Sequence, residues 1–297
     1  MMHRGNDQQR SYVFALLAIL FWSTVPTAFK ISLRELDILT MLTIASVTSA
    51  FALFIAVVVT GKAGTILKSS FKDLLSSALL GFINPFAYYL ILLKAYSLLP
   101  AQVAQPLNMI WPIILVFLSV PILKQRIPGK SFVALFISFA GVYIISSQGN
   151  LFSPGQSNLP GVMLATGSSI FWSFYFILNV RDKRDESVKL FLNFFFGSVY
   201  LIVAILVTGN PLRITGSGLL SSVYVGLFEM GITFLLWLKA LQLSKSTDKV
   251  SNLVYLAPFI SLIFVHFILN ERIYITTPAG LLLIIVGIIV QSKQTNR

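Results

Sequence analysis

The chain has no cysteine and only two histidines, His3 and His266. Disulfides, thiolate metal sites and a cysteine nucleophile are excluded, and neither a His-pair metal site nor an HExxH helix can be assembled. Charge is scarce as well: 11% of the 297 residues are Asp, Glu, Lys or Arg, against about a quarter in a soluble domain. A nucleophile elbow, a Walker loop and a dinucleotide fingerprint are all missing. The expectation is therefore no enzyme, no cofactor and no nucleotide-driven pump. Glu229 is the one acidic residue well inside an apolar run, so a paired-carboxylate mechanism has no second member.

What the chain has is apolar surface. Hydrophobic residues make up 56% and the mean hydropathy is +0.85, which no water-facing fold could bury. The apolar runs are long and unbroken rather than alternating in short strands, which argues against a β-barrel and for an all-α polytopic membrane protein. Ten transmembrane helices are expected at about 12–32, 38–60, 74–97, 101–121, 131–148, 161–180, 188–208, 219–243, 249–269 and 275–292. The first run outlasts a signal peptide and shows no small-residue cleavage site, so it reads as a retained helix. The longest connection, Gln148 to Pro160, carries Pro154, Gly155, Ser157 and Asn158 and no charge, as a mid-chain linker should.

The net charge of +12 is scattered through the loops. That pattern points to membrane topology rather than to nucleic acid. With the N-terminus placed inside, 17 Lys and Arg fall on the cytoplasmic side: Arg4, Arg10, Lys62, Lys68, Lys72, Lys124, Arg126, Lys130, Arg181, Lys183, Arg184, Lys189, Lys239, Lys245, Lys249, Lys293 and Arg297. The other side holds five, Lys30, Arg34, Lys94, Arg213 and Arg272. Both termini are accordingly expected in the cytoplasm. The segment Arg181 to Glu186 reads as a solvated loop, and Glu271 with Arg272 as an outer-end pair.

The sequence also repeats itself. Phe21-Trp22-Ser23 returns as Phe171-Trp172-Ser173, and Leu93-Lys94-Ala95 as Leu238-Lys239-Ala240, 145 residues on. Pro112 and Pro258, Arg126 and Arg272, Gly141 and Gly287, and Gln148 and Gln294 are each 146 apart. Residues 12–148 and 161–292 thus form two five-helix repeats. An odd number of spans makes the second repeat enter from the opposite side, so the repeat is inverted. Secondary transporters use that architecture, with the site between repeats near the bilayer midplane.

Polar, aromatic and proline residues within spans mark a path through lipid. Glu229, central in span eight, costs about 2.5–3.5 kcal/mol to insert as a charge. It serves as a coupling or substrate-contact group, or else as a hydrogen-bonding partner of a neighbouring helix. Its counterpart 145 residues earlier is Asn84, followed by Pro85. Helical spacing extends the face through Thr233 and Trp237 in span eight, Tyr88 in span three, and Gln105 and Asn108 in span four. Trp172, Tyr175 and Asn179 with Ser168 do so in span six, Asn252 and Tyr255 in span nine, and Trp22 in span one. The same aromatics could equally be interface belt or core. Pro26, Pro85, Pro106, Pro112 and Pro258 remove backbone hydrogen bonds within spans, and Pro112 and Pro258 read as hinges or kinks. Spans five and ten are aliphatic, with Gly141 and Gly287 allowing close approach.

The aromatic-Trp-Ser of spans one and six, the paired Pro112 and Pro258, and Leu269-Asn-Glu-Arg-Ile273 followed by Gly280 and Gly287 resemble the EamA family of the drug/metabolite transporter superfamily. The resemblance covers about residues 12–292. Gln125 stands where the family's first repeat carries an acidic residue, and Asn270 where it carries Gly. The resemblance implies an inner-membrane, multi-pass permease that exports amino acids or related metabolites by alternating access, with a proton as a candidate coupling ion. Glu229 would couple or contact the solute, with Asn84 as its polar partner. Trp22, Tyr88, Trp172 and Tyr175 would form the wall, and Asn108 and Asn252 would bond the solute or each other. Uptake, uncoupled facilitation and multidrug efflux remain open, as does a non-transporting membrane partner. The expected partners are a small-molecule substrate and the lipid bilayer, with the protein acting as a monomer.

Overall fold

The structure is a computed structural model, and it describes residues 3–123, 129–151, 158–244, 250 and 252–292. Lys124, Gln125, Arg126, Pro154, Gly155, Ser157, Lys245, Lys249, Lys293, Gln294 and Arg297, singled out above, lie outside the described residues, as do the side chains of Arg4, Lys130 and Asn252. Among the described residues there is helix and no strand.

Among the described residues, seven helices or helix pairs are long and apolar enough to cross a membrane: Asp7–Glu35, Ile38–Val59, Phe71–Leu98, Ala101–Ile122, Leu159–Arg181, Glu186–Thr208 and Gly216–Leu243. Three shorter apolar helices, Ser131–Ser146, Leu253–Leu269 and Thr276–Val290, lie where spans five, nine and ten are expected. Large apolar side chains such as Phe51, Phe136 and Phe267 are exposed on these helices, a surface that suits lipid and not water.

The first helix, α1 (His3–Glu35), starts before its apolar run, because the run marks the membrane core and not the helix end. Next come α2 (Ile38–Val59), the short α3 (Ala63–Leu67) and α4 (Phe71–Gly81). A π-turn over Phe82–Ala87 joins α4 to α5 (Tyr88–Leu98). Asn84 there is extended (φ −146°, ψ 119°) before a cis bond to Pro85. Span four is likewise split into α6 (Ala101–Asn108) and α7 (Trp111–Leu123) by a turn at Met109–Ile110. Unbroken helices follow: α8 (Gly129–Ser146), α9 (Leu159–Arg181) and α10 (Glu186–Thr208). Span eight divides into α11 (Gly216–Phe228) and α12 (Ile232–Leu243). A 3-10 turn, Asn252–Leu256, leads into α13 (Ala257–Leu269), and α14 (Thr276–Ser292) closes the described chain.

Helix ends follow ordinary capping chemistry, and they do so in pairs. Asp37 caps α2 by accepting from the Leu39 and Thr40 amides, and Asp185 caps α10 by accepting from the Ser187 and Val188 amides. Both helices end in a left-handed glycine, Gly61 (φ 71°) and Gly209 (φ 62°). In each case the next amide bonds back five residues, Lys62 to the Val57 carbonyl at 2.9 Å and Asn210 to the Ile205 carbonyl at 3.2 Å. Ser70 caps α4 with a full capping box to Asp73, and Thr215, 145 residues on, caps α11.

Within the segment expected as a solvated loop, Arg181 and Lys183 are exposed, whereas residues 184–186 are engaged. Arg184 donates to the Asp73 carbonyl at 3.0 Å and the Ser77 hydroxyl at 2.8 Å, Lys62 donates to Asp185, and Glu186 pairs with a buried Lys189 at 2.8 Å. A charge-rich segment ties down a helix start here, because the first amides of α10 lack helical partners and take the Asp185 carboxylate, which Lys62 in turn balances.

The described residues gather into two compact units, within Met1–Phe86 with Arg184–Leu269 and within Ala87–Lys183 with Asn270–Arg297. Each draws helices from both halves of the chain. In the first unit α10 packs on α2 and α4, and α1 packs along α11, α12 and α13. Gly81 of α4 lies against the Asn193 carbonyl of α10, and Gly226 of α11 against the Ala45 carbonyl of α2. In the second unit α9 packs on α5, α6 and α7, while α8 lies along α14. Gly141 and Gly280 face each other's carbonyls across that last pair, and Gly287 meets Ser138. Small residues are what let two backbones come this close in lipid.

Candidate functional site

Glu229, Asn84, Trp22, Thr233, Tyr255 and the backbone of Asn252 belong to the first unit. Glu229 is half-buried and stands at the C-cap of α11, where the rod breaks before α12. The break needs no proline. Gly231 takes φ −119° and ψ −97°, and the Phe228 carbonyl, released from the ladder, accepts instead from the Thr233 hydroxyl at 2.6 Å. Around it stand aromatic rings from α1: Phe21 lies 4.4 Å from Phe228, and Trp22 lies 5.7 Å from Phe234 and 5.4 Å from Trp237, centroid to centroid. Tyr224 stacks on Phe228 at 4.7 Å, and its hydroxyl pairs with Thr24 at 2.6 Å. Asn84 is buried on the other interrupted rod of this unit, beside Pro85, whose ring lies against Gly197 of α10.

The second unit holds Tyr88, Asn108, Trp172, Tyr175 and Pro112. Tyr88 donates to Asn108 Oδ1 at 3.2 Å, and Asn108 Nδ2 donates to Ser168 Oγ at 2.8 Å. Asn108 ends α6, so the amide ties the split in span four to α9. Trp172 sits amid Tyr88 (5.1 Å), Tyr175 (5.8 Å) and Trp111 (6.4 Å). Ser173, next to it, donates to the Trp111 carbonyl at 2.8 Å. Pro112 and Pro258 each fall second in a new segment, α7 and α13, where a missing N–H costs nothing. Pro26, by contrast, sits inside the unbroken α1.

The sequence reading missed a polar hub at the start of α6. Glu271 accepts from the Ala101 amide at 3.1 Å and the Gln102 amide at 3.4 Å. Buried Gln102 donates to the Arg272 carbonyl at 2.6 Å and accepts from the Tyr274 amide and the Thr277 hydroxyl, each at 3.1 Å. Asn270, just before, has φ 56°, the left-handed conformation that glycine or asparagine adopts after a helix. Neither the cap nor the hub has a local sequence signal, because the partners are about 170 residues apart. Gly81 and Gly226 were legible: their spacing of 145 is that of Leu93 and Leu238.

Comparison with known proteins places this geometry. A model of the EamA-like transporter family matches the chain twice, over residues 9–147 and 159–292. The chain is 26% identical to an uncharacterized transporter of Clostridium kluyveri, with 97% of this chain and 95% of that protein covered. It is also 26% identical to an uncharacterized transporter of Archaeoglobus fulgidus, over 94% and 97% of the two chains. The uncharacterized transporter YvbV of Bacillus subtilis is 26% identical over 75% of this chain and 72% of its own. A solved protein structure superposes with a TM-score of 0.67 over 97% of this chain and 98% of its own at 19% identity, a likeness of fold. With apolar helices throughout and the family match running along nearly its whole length, the chain is a multi-pass membrane transporter and belongs to the EamA-like transporter family.

Proposed function

We propose that the chain is a secondary transporter of the inner membrane, with ten spans in two inverted five-helix repeats, 12–148 and 161–292, and both termini cytoplasmic. It exports a small organic solute, an amino acid or related metabolite, by alternating access, and Glu229 contacts the solute or carries a coupling proton. Trp22, Asn84, Thr233 and Tyr255 are the candidate solute-contact residues that accompany Glu229 in the first unit, and Tyr88, Asn108, Trp172 and Tyr175 are those of the second.

The observation that carries this reading is the matched interruption of helices. Span three breaks at Asn84 and span eight at Glu229, 145 residues apart. Span four restarts at Trp111 and span nine at Ala257, 146 apart. Discontinuous helices in corresponding places of two repeats are where secondary transporters bind solute and coupling ion. A carboxylate at one break, in a segment whose neighbouring rings pack on those of α1, brings charge and aromatic residues to the same stretch of chain.

The test is counterflow of radiolabelled amino acids in proteoliposomes, wild type beside Glu229→Gln. Saturable exchange is expected in the wild type. If Glu229 carries the proton, Glu229→Gln keeps exchange but loses pH-driven accumulation; if it contacts the solute, exchange falls at least tenfold. No exchange for any member of an amino-acid panel overturns the substrate assignment. Unchanged exchange and unchanged pH response in the variant return Glu229 to helix packing.

A further inference from the structure

α3 sits on the connection between α2 and α4, and its docking is one-sided. Ile66 of α3 and Leu74 of α4 pack against the buried Val57 of α2 and Val188 and Leu192 of α10. The next residue in each case, and Phe71 between them, stay outside that contact: Leu67 is 90% exposed, Phe71 79% and Leu75 60%. Apolar side chains left this bare mark a surface that something covers. The segment leaves one membrane-crossing helix at Val59 and enters the next at Phe71, so it lies level with the lipid headgroups.

Charge tells which headgroups. Three cations at this end of the unit are already matched by carboxylates: Lys62 by Asp185 at 2.6 Å, Lys189 by Glu186 at 2.8 Å and Arg184 by Asp73 at 3.9 Å. Lys68 and Lys72, on either side of Phe71, are exposed, and among the described residues neither has a carboxylate partner. The equivalent connection of the second repeat gives a comparison. It has five residues, 210–214, between Gly209 and the cap Thr215, where the first has eight, 62–69, between Gly61 and the cap Ser70. It too exposes aliphatic side chains, Leu212 and Ile214, but its one cation is Arg213 and it has no helix. Apolar exposure is thus common to both connections, whereas a helical turn followed by unmatched lysines belongs to the first. Apolar groups at headgroup level insert, and cations beside them gain from a negative surface potential. That attraction depends on how much charge lies near the surface and asks for no convergence of side chains on one headgroup.

We infer that residues 62–75 form an interfacial anchor, seated by Leu67 and Phe71 and directed by Lys68 and Lys72 to a leaflet rich in anionic phospholipid. Only the choice of leaflet rests on the orientation proposed above, which makes it the cytoplasmic one.

The absence of cysteine gives the test a single labelling site. Gly64→Cys accepts a label, since a Cβ there meets nothing within 4 Å, and carries an environment-sensitive fluorophore in the full chain reconstituted in nanodiscs. Quenching by acrylamide, a neutral quencher that surface charge does not concentrate, is compared between phosphatidylcholine and phosphatidylcholine mixed with phosphatidylglycerol. Each lysine biases the segment about fivefold toward the anionic surface, so the quenching constant is expected to fall about twofold in the mixture and to recover in high salt. Lys68→Gln with Lys72→Gln should abolish the dependence on lipid charge, and Leu67→Ser with Phe71→Ser should leave the label open to quencher in both lipids. All four side chains are exposed, so the fold withstands their replacement. Equal quenching of the otherwise unaltered chain in both lipids overturns the anchor, as does a lipid response that the double glutamine variant keeps in full. So does an equal response from a label at Gly216→Cys, at the end of the other connection, which would report the bilayer and not this segment. Solute exchange plays no part in the readout, so the anchor and the permease reading can fall separately.

Discussion

Lys62 and Asn210 stand 148 residues apart and hold equivalent carboxylates: Lys62 Nζ donates to Asp185 at 2.6 Å and Asn210 Nδ2 to Asp37 at 2.7 Å. Each carboxylate caps the start of one helix, and each donor follows the glycine that ends the other. α2 and α10 are thus latched at both ends. The cationic latch falls among the Lys- and Arg-rich loops and the neutral one among the others, so the charge bias that sets topology is written into otherwise equivalent contacts.

These latches predict an acid limit to stability. Burial alone would raise the pKa of Asp185, but Lys62, the Ser187 hydroxyl and the Val188 amide outweigh it and the pKa is lowered. At Asp37 burial is likewise outweighed, by bonds from Thr40, Asn210 and the Leu39 amide. A lowered folded-state pKa stabilises fully above the unfolded value of about 3.9 and is lost as pH falls through the folded one. Tm in detergent should therefore contain no contribution from these groups to any slope between pH 8 and 5, and should drop below about pH 4. Asp185→Ala should cost about 1 kcal/mol, whereas Asp185→Asn, still a good cap, should cost less.

The glycine contacts give a second set of expectations. Gly81→Ala and Gly226→Ala each drive a methyl into a backbone carbonyl of the neighbouring helix, and should destabilise by roughly 1–3 kcal/mol. Gly167→Ala on α9 meets nothing within 4 Å and should be neutral or slightly stabilising. Denaturation in mixed micelles measures all three, and equal behaviour of Gly226→Ala and Gly167→Ala would be inconsistent with the packing described.

The Tyr88–Asn108–Ser168 chain predicts coupling. Tyr88→Phe removes one bond and should cost about 0.5–1.5 kcal/mol, whereas Asn108→Ala strips two partners at once and should cost more. In a double-mutant cycle, Tyr88→Phe and Ser168→Ala should fall short of additivity, because both act through the one amide. Additive losses would mean that the amide does not link them.

Much of the fold was legible because a membrane span is spelled out locally. The apolar runs, Pro112 and Pro258 at restarts and the spacing of 145–148 residues all stand in the sequence. What was not legible is which rod lies on which. Nothing local says that α4 joins α10 or α11 joins α2, since small-residue packing in lipid carries little compositional contrast. At the site, Asn84 and Glu229 were found as polar intrusions. The break at Gly231 was not, because glycine is common in membrane helices and only its backbone angles distinguish it.

The unbroken α1 touches α11 on one side of the Glu229 break and α12 on the other, and α9 likewise bridges α6 and α7. Each continuous helix is a splint laid across a fracture. The two halves of each interrupted span therefore share one support: a substitution that displaces α1 would shift the footing of α11 and α12 together, and one that displaces α9 would do so for α6 and α7.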